Sequence, residues 1–286
     1  MRKRYILLIL ITMLSTCVSA CGGGYAASDK DTEKSDNPKV IIFAAKSLNG
    51  VLDELITIYK SEHPDVEIIP SYDSSGTLME QIREGAECDL FFSAAQKQMD
   101  ILEEEGLVVP DTRKNVVNNQ VCVVTWKGSG TKVTGLEDIS AAESFALADG
   151  SVPVGKYTRQ AMVNAGILPT AEDISLITTK EVSDALGGIE INECANVGAV
   201  TAAVAEGANE VGTVYLSDTY GLEDKLEVLE IVDYDLTGNV IYPIAHIKNE
   251  EADQSRNTAV DDFLAFLISD QAKEAYKNRY FDINVE

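Results

Sequence analysis

Histidine and tryptophan are almost missing from this chain of 286 residues, which has two of the first and one of the second. A catalytic serine or cysteine needs a positioned base, and histidine is the usual one. His63 lies in Ser61-Glu62-His63-Pro64-Asp65, which reads as a solvent-facing loop, and His246 lies in an apolar strand-like run. Neither neighbours a Gly-x-Ser-x-Gly turn. No Cys-x-x-Cys pair and no His/Cys/Asp cluster has the spacing of a metal site. The acidic runs, such as Glu103-Glu104-Glu105, read as solvated helix faces. The chain is therefore expected not to be an enzyme and to carry no cofactor. Basic residues are scarce too: 23 Lys and Arg stand against 47 Asp and Glu, for a formal net charge of −24. Nucleic acid is bound through basic patches, so it is excluded as a partner. Attraction of anionic lipid through charge is excluded for the same reason. The acidity itself is read as serving solubility.

Long apolar runs are lacking as well. The run Tyr5 to Leu14 is shorter than the roughly 20 residues of a membrane span. It follows Arg2, Lys3 and Arg4, and no acidic residue occurs before Cys21. Residues 1–20 therefore read as a secretory signal. Val18-Ser19-Ala20-Cys21 resembles the lipobox of bacterial lipoproteins, which implies cleavage before Cys21 and a lipid on its sulfur. Leu14-Ser15-Thr16-Cys17 is a rival box with an awkward Thr, and cleavage without lipid is the alternative. Two or more acyl chains anchor stably, which predicts an extracytoplasmic protein held to the membrane by lipid alone. Cleavage would leave 20 basic residues against 47 acidic ones. Residues 21–38 are rich in Gly, Ser, Asp and Lys without apolar periodicity, and read as a tether. Three cysteines then remain, Cys88, Cys122 and Cys194; the first two sit at apolar strand-like runs and are read as small buried hydrophobes. A Cys88–Cys122 bridge is the alternative.

From Lys39 onward, strand-like runs alternate with helical spacing, which predicts α/β architecture with parallel strands. Strands are expected at 40–44, 66–69, 90–93, 121–125, 145–148, 175–178, 211–216, 226–232 and 240–247. Helices are expected at 48–62, 77–83, 96–105, 155–164, 181–186, 197–205, 260–268 and 271–280. Four strand-to-helix junctions carry small or hydroxyl residues: Ala45-Lys46-Ser47, Ser74-Ser75-Gly76-Thr77, Pro153-Val154-Gly155 and Thr178-Thr179-Lys180-Glu181-Val182. Taken singly, such residues are helix caps. Four together, at the carboxyl ends of strands, shift the balance toward an anion site built from helix N-termini.

Phe43-Ala44-Ala45-Lys46-Ser47-Leu48, Tyr72-Asp73-Ser74-Ser75-Gly76-Thr77-Leu78 and Asp89-Leu90-Phe91-Phe92-Ser93-Ala94 resemble, in order, motifs of the periplasmic molybdate-binding (ModA) family. So do Val152-Pro153-Val154-Gly155-Lys156-Tyr157, Glu181-Val182-Ser183-Asp184-Ala185-Leu186 and Val211-Gly212-Thr213-Val214-Tyr215-Leu216-Ser217-Asp218. The resemblance covers Lys39 to about Asp282. It implies a two-lobed periplasmic binding protein fold of type II, with two open α/β sheets joined by a two-segment hinge. The implied first lobe is 39–120 plus 243–286 and the second 121–242, with crossings near Gln120–Cys122 and Val240–Tyr242. The resemblance further implies that Ser47, Ser75, Val154, Val182 and Tyr215 donate hydrogen bonds to the oxyanion. Lys46 and Asp73 beside the serines either tune the local charge or point into solvent. Trp126, just past the first crossing, is expected to pack at the hinge. Implied partners are the molybdate oxyanion, with tungstate beside it, and an ABC permease with its ATPase. A monomer is expected. The alternatives keep the fold and change the ligand to sulfate, phosphate or a preference for tungstate; a hydrolase is the remote one.

Overall fold

The computed structural model describes residues 37–285. The export signal, the lipidation of Cys21 and the tether up to residue 36 lie outside the described residues. Strand β1 (Lys39–Ala45) shows why both faces of its sheet are covered. Val40, Ile42 and Ala44 join one apolar cluster, while Phe43 joins another with Leu78, Met79, Phe91 and Met99. Alternation with a period of two sends these sets to opposite faces. Helix α1 (Asn49–Glu62) follows a 3-10 turn at Lys46–Leu48 and buries Val51, Leu52, Leu55, Ile56 and Tyr59. That is the three-and-four spacing of a one-sided helix.

The chain continues through β2 (Glu67–Asp73), α2 (Ser75–Arg83), β3 (Leu90–Phe92), α3 (Gln96–Glu104) and β4 (Lys114–Asn119). Next come β5 (Val121–Trp126), β6 (Ser144–Ala148), α4 (Pro153–Asn164), α5 (Thr179–Ala185), β7 (Glu190–Cys194), α6 (Val197–Ala205), β8 (Val211–Tyr215), β9 (Leu226–Ile231) and the short α7 (Tyr234–Thr237). It closes with β10 (Val240–His246), α8 (Gln254–Leu267) and α9 (Asp270–Asn278). Two five-stranded sheets result, in the orders β2-β1-β3-β10-β4 and β7-β6-β8-β5-β9. In each, three strands run parallel and the other two enter by antiparallel pairing.

The chain passes between the sheets at Gln120, since β4 belongs to the first and β5 to the second. It returns between Ile231 and Val240. The resemblance placed this return at Val240–Tyr242, but those residues already pair with Asn119, Asn118 and Val117 in the first sheet. The return therefore precedes Val240. Neighbouring asparagines satisfy the backbone donors freed at the crossing. Asn118 Oδ1 accepts the N–H groups of Asn119 and Val240, and Asn119 Oδ1 accepts that of Gln120.

Residues 175–178 form no strand. The first two belong to a 3-10 turn at Ile174–Leu176, capped where the Asp173 carboxylate accepts the Ser175 N–H. The strands parallel to β6 on its two sides are β7 and β8. Cys88, Cys122 and Cys194 are free and buried, so the Cys88–Cys122 bridge is not formed. Trp126 ends β5, opposite Leu226, six residues beyond the crossing; at about 3.3 Å per residue it is roughly 20 Å from the hinge.

Candidate functional site

The carboxyl ends of six strands meet at one small cavity. Its walls are Ala45, Lys46 and Ser47 at the end of β1, Asp73, Ser74 and Ser75 at the end of β2, and Ala94 after β3. From the other sheet come Val152, Pro153 and Val154 after β6, Val197 after β7, and Tyr215 at the end of β8. The free space allows ≈ 10 Å³ for the centre of a water-sized sphere, about what a single water needs. Helices α2, α4 and α6 all begin at this cavity. Their first N–H groups have no acceptor within the helix and carry its positive end. α4 starts with Pro153 and no capping side chain, which leaves the N–H of Val154 toward the cavity. Ser74 caps α2 through Oγ, which accepts the Thr77 N–H, and Asn196 caps α6 through Oδ1, which accepts the Ala199 N–H.

Three of the four hydroxyl groups on the walls, those of Ser47, Ser75 and Tyr215, are polarised to donate. The Ala94 N–H donates to Ser75 Oγ at 2.9 Å, leaving the serine proton for a further acceptor. Asn119 Nδ2 donates to Tyr242 Oη at 3.1 Å, and Tyr242 Oη lies 2.9 Å from Ser47 Oγ. That chain lets Tyr242 donate to Ser47 and frees the Ser47 proton in turn. Tyr215 Oη is buried and forms no hydrogen bond of ordinary geometry among the described residues, although the Tyr242 hydroxyl is close enough to act on it. Burial first, and then Tyr242, Tyr157 and Asp218, push the Tyr215 hydroxyl well above its ordinary pKa, so it remains a donor. A buried polar atom without a partner costs about 1–3 kcal/mol, and is the kind of exception that a missing ligand explains.

Ser47, Ser75, Val154 and Tyr215 are thus brought together, all of them buried. Val182 is not. It is the fourth residue of α5, and its N–H is spent on Thr178 O at 3.1 Å. Thr178 caps this helix in a reciprocal box with Glu181. The residue that occupies the expected place is Val197, the first residue of α6. Lys46 and Asp73 also line the cavity, so neither simply faces solvent. The Lys46 stem lies along α6, where a Cβ at Gly198 would come within 2.9 Å of its Cγ and Cε. The histidines are elsewhere. His246 pairs with Leu90 at the opposite end of β3, with Nδ1 3.1 Å from Asp261 Oδ1. His63 caps the far end of α1, stacked on Tyr59. No group of three metal-ligating side chains occurs among the described residues.

Asp218 sits directly behind Tyr215 and accepts its N–H at 3.0 Å. Burial raises its carboxyl from 3.8 to about 7, against the opposing pull of that N–H and of Lys46. The folded state therefore holds a proton that the unfolded chain releases. Stability from this group is full below pH 3.8 and is lost as pH rises through about 7. Asp218→Asn keeps the acceptor and removes the titration. Its melting temperature is expected to fall less than that of the parent between pH 5 and pH 8. Parallel melting curves across that range would refute the assignment.

Comparison with known proteins places this geometry. The family model for bacterial extracellular solute-binding proteins matches residues 40–282. The chain is 30% identical over 256 residues to the molybdate-binding protein ModA of Escherichia coli K12, covering 87% of this chain and 91% of that one. It is 29% identical over 270 residues to the ModA of Haemophilus influenzae, covering 92% and 95%. The periplasmic molybdate-binding protein of Azotobacter vinelandii superposes with a TM-score of 0.69 at 17% identity, over 86% of this chain and 100% of that one. That likeness shows the fold, the two-lobed periplasmic binding protein of type II. The chain belongs to the bacterial extracellular solute-binding proteins and, within them, to the ModA family.

Proposed function

We propose that the protein captures molybdate outside the cell, accepts tungstate in the same cavity, and delivers the anion to the permease and ATPase of an ABC importer. The buried Tyr215 hydroxyl without a partner carries this reading. It points to a ligand with acceptors only, and molybdate is a dianion with no proton to give at neutral pH. The proposed donors are the Ser47, Ser75 and Tyr215 hydroxyls with the N–H groups of Val154 and Val197. Charge-assisted hydrogen bonds contribute roughly 1.5–3 kcal/mol each. Five give on the order of 8–15 kcal/mol before the costs of closure and ordering, enough for sub-micromolar affinity. The two lobes, joined at Gln120 and at residues 232–239, open and close by hinge motion, which admits the anion and then encloses it. The donors serve binding, and the protein is proposed to act as a monomer without catalysis. Lipid on Cys21 would hold it beside the importer.

Asp73 favours a second reading. A carboxylate on the wall suits an anion that carries a proton, such as monohydrogen phosphate. Calorimetric titration with molybdate, tungstate, sulfate and phosphate separates the two. Sub-micromolar, one-to-one binding is expected for molybdate and tungstate, with sulfate and phosphate at least about a hundredfold weaker. Tyr215→Phe is expected to weaken molybdate binding roughly tenfold, the loss of one such hydrogen bond. The same variant should melt no lower than the parent without ligand, because it deletes an unsatisfied buried group. Unchanged affinity in Tyr215→Phe would remove the ground for this site, and tighter binding of phosphate would change the ligand.

A further inference from the structure

One side-chain amide joins the two lobes at the cavity wall. Asn196 Oδ1 caps α6 by accepting the Ala199 N–H at 3.0 Å. Its Nδ2 donates across the cleft to Asp73 Oδ1 at 3.2 Å. Asp73 ends β2 in the other sheet, and the same Oδ1 accepts the Ser74 N–H at 2.7 Å. Ser74 in turn caps α2. A single carboxylate oxygen and a single amide thus tie the start of α2 to the start of α6. The residues that follow the two caps, Ser75 and Val197, both line the cavity.

We propose that Asn196 and Asp73 form a closing latch, in which Asn196 is a positioning residue that holds the α6 N-terminus on the ligand and slows its release. The inference rests on the oxyanion-capture reading above. Other polar ties between the sheets are placed differently. Asn119 Nδ2 donates to Ser217 Oγ at 2.8 Å beside the crossing, where opening moves atoms least. Lys97 and Asp173 meet at 3.4 Å, both well exposed, and such pairs add little. The Asp73–Asn196 bond lies at the cavity and can form only when the lobes approach. It stabilises the closed state alone, and a contact made only there shifts the population toward closure. An encounter between anion and open cleft precedes it, so the latch acts on dissociation and not on association. It also engages the Asp73 carboxylate with an N–H donor, which tempers its repulsion of a bound dianion.

Asn196→Asp tests the latch without removing the cap, since Asp caps a helix as well as Asn does. It deletes the donor and sets two carboxylates against each other. Release of radiolabelled molybdate from the purified protein into excess unlabelled molybdate is expected to be about tenfold faster or more. The association rate should fall by less than the release rate rises, since the added charge also repels the incoming dianion, and the melting temperature without ligand should stay near the parental value. The Asp73→Asn/Asn196→Asp double variant reverses donor and acceptor, and is expected to recover most of the slow release. Parental release from Asn196→Asp, or a double variant no slower than the single one, overturns the latch while leaving oxyanion capture intact. A parent protein that binds none of molybdate, tungstate, sulfate and phosphate overturns both.

Discussion

Arg159→Met is expected to lower the melting temperature by on the order of 10 °C and to weaken oxyanion binding, although Arg159 does not line the cavity. Its guanidinium is wholly buried in α4 and makes an unusual set of bonds. Nε donates to Ile177 O at 2.8 Å, Nη1 to Ala148 O at 2.8 Å and to Gly155 O at 2.9 Å, and Nη2 to Thr179 Oγ1 at 3.3 Å. One side chain therefore ties together the end of β6, the first turn of α4 and the approach to α5. Burial lowers its pKa, while Asp149 and Glu193 oppose that shift, and an arginine keeps its charge in any case. Met fills much of the volume but offers no donor to Ile177 O and Ala148 O, and leaves Gly155 O with only the helical N–H of residue 159. Breaking a buried charged network costs about 3–5 kcal/mol. For a domain of this size each kcal/mol moves the melting temperature by about 2–4 °C. Binding suffers because Val154, whose N–H faces the cavity, lies in the turn that Arg159 holds. Arg159→Lys, with a single point charge able to reach only part of this set, should fall between parent and Met. Thermal unfolding followed by circular dichroism measures the first effect and calorimetric titration the second. A melting temperature within about 2 °C of the parent would show that the network contributes nothing.

Strands buried on both faces announced themselves through continuous apolar runs, as in Val121-Cys122-Val123-Val124, which are all fully buried. The edge strand β7 did not. In Glu190-Ile191-Asn192-Glu193-Cys194 only Cys194 is buried, so no period stands out. Without β7, the junction that leads to Val197 could not be seen, and the expected donor fell on Val182 instead. The Asn196-Val197-Gly198 start of an Ala-rich helix was the available signal, because Asn is a strong cap. β4 escaped for a related reason, its asparagines hiding a strand whose polar residues serve the crossing. Ser47, Ser75 and Val154 were legible because each stands at a strand-to-helix junction with small or hydroxyl residues, and Tyr215 only through the family resemblance. Asp73, Lys46 and Arg159 were not, since their roles depend on partners 123, 152 and 11 to 20 residues away in sequence that only the fold brings near.

Gly155→Ala is expected to be the most disruptive single-methyl change near the site. Gly155 is the third residue of α4, and its φ is ordinary for a helix, so conformational freedom is not what it supplies. It supplies closeness. A Cβ here would overlap the carbonyl oxygens of Ala148 and Asp149 and lie 2.8 Å from the carbonyl carbon of Ala148. These are backbone atoms at the end of β6, held by the ladder to β7 and by Arg159, and cannot swing aside as a side chain would. The first turn of α4 must retreat instead, by an amount comparable to the overlap, and Val154 moves with it. Overpacking of this kind costs about 1–3 kcal/mol. Alanine favours a helix over glycine by about 1 kcal/mol, which offsets part of that cost, so the stability loss should be modest. The binding loss should be large by comparison. An N–H withdrawn by about 1 Å from an anion leaves hydrogen-bonding range, and its aligned neighbours retreat with it. Molybdate affinity is therefore expected to fall by on the order of a hundredfold, with a melting temperature only a few degrees below the parent. Affinity and stability falling together, in the proportion of partial unfolding, would place the role of Gly155 in the fold alone.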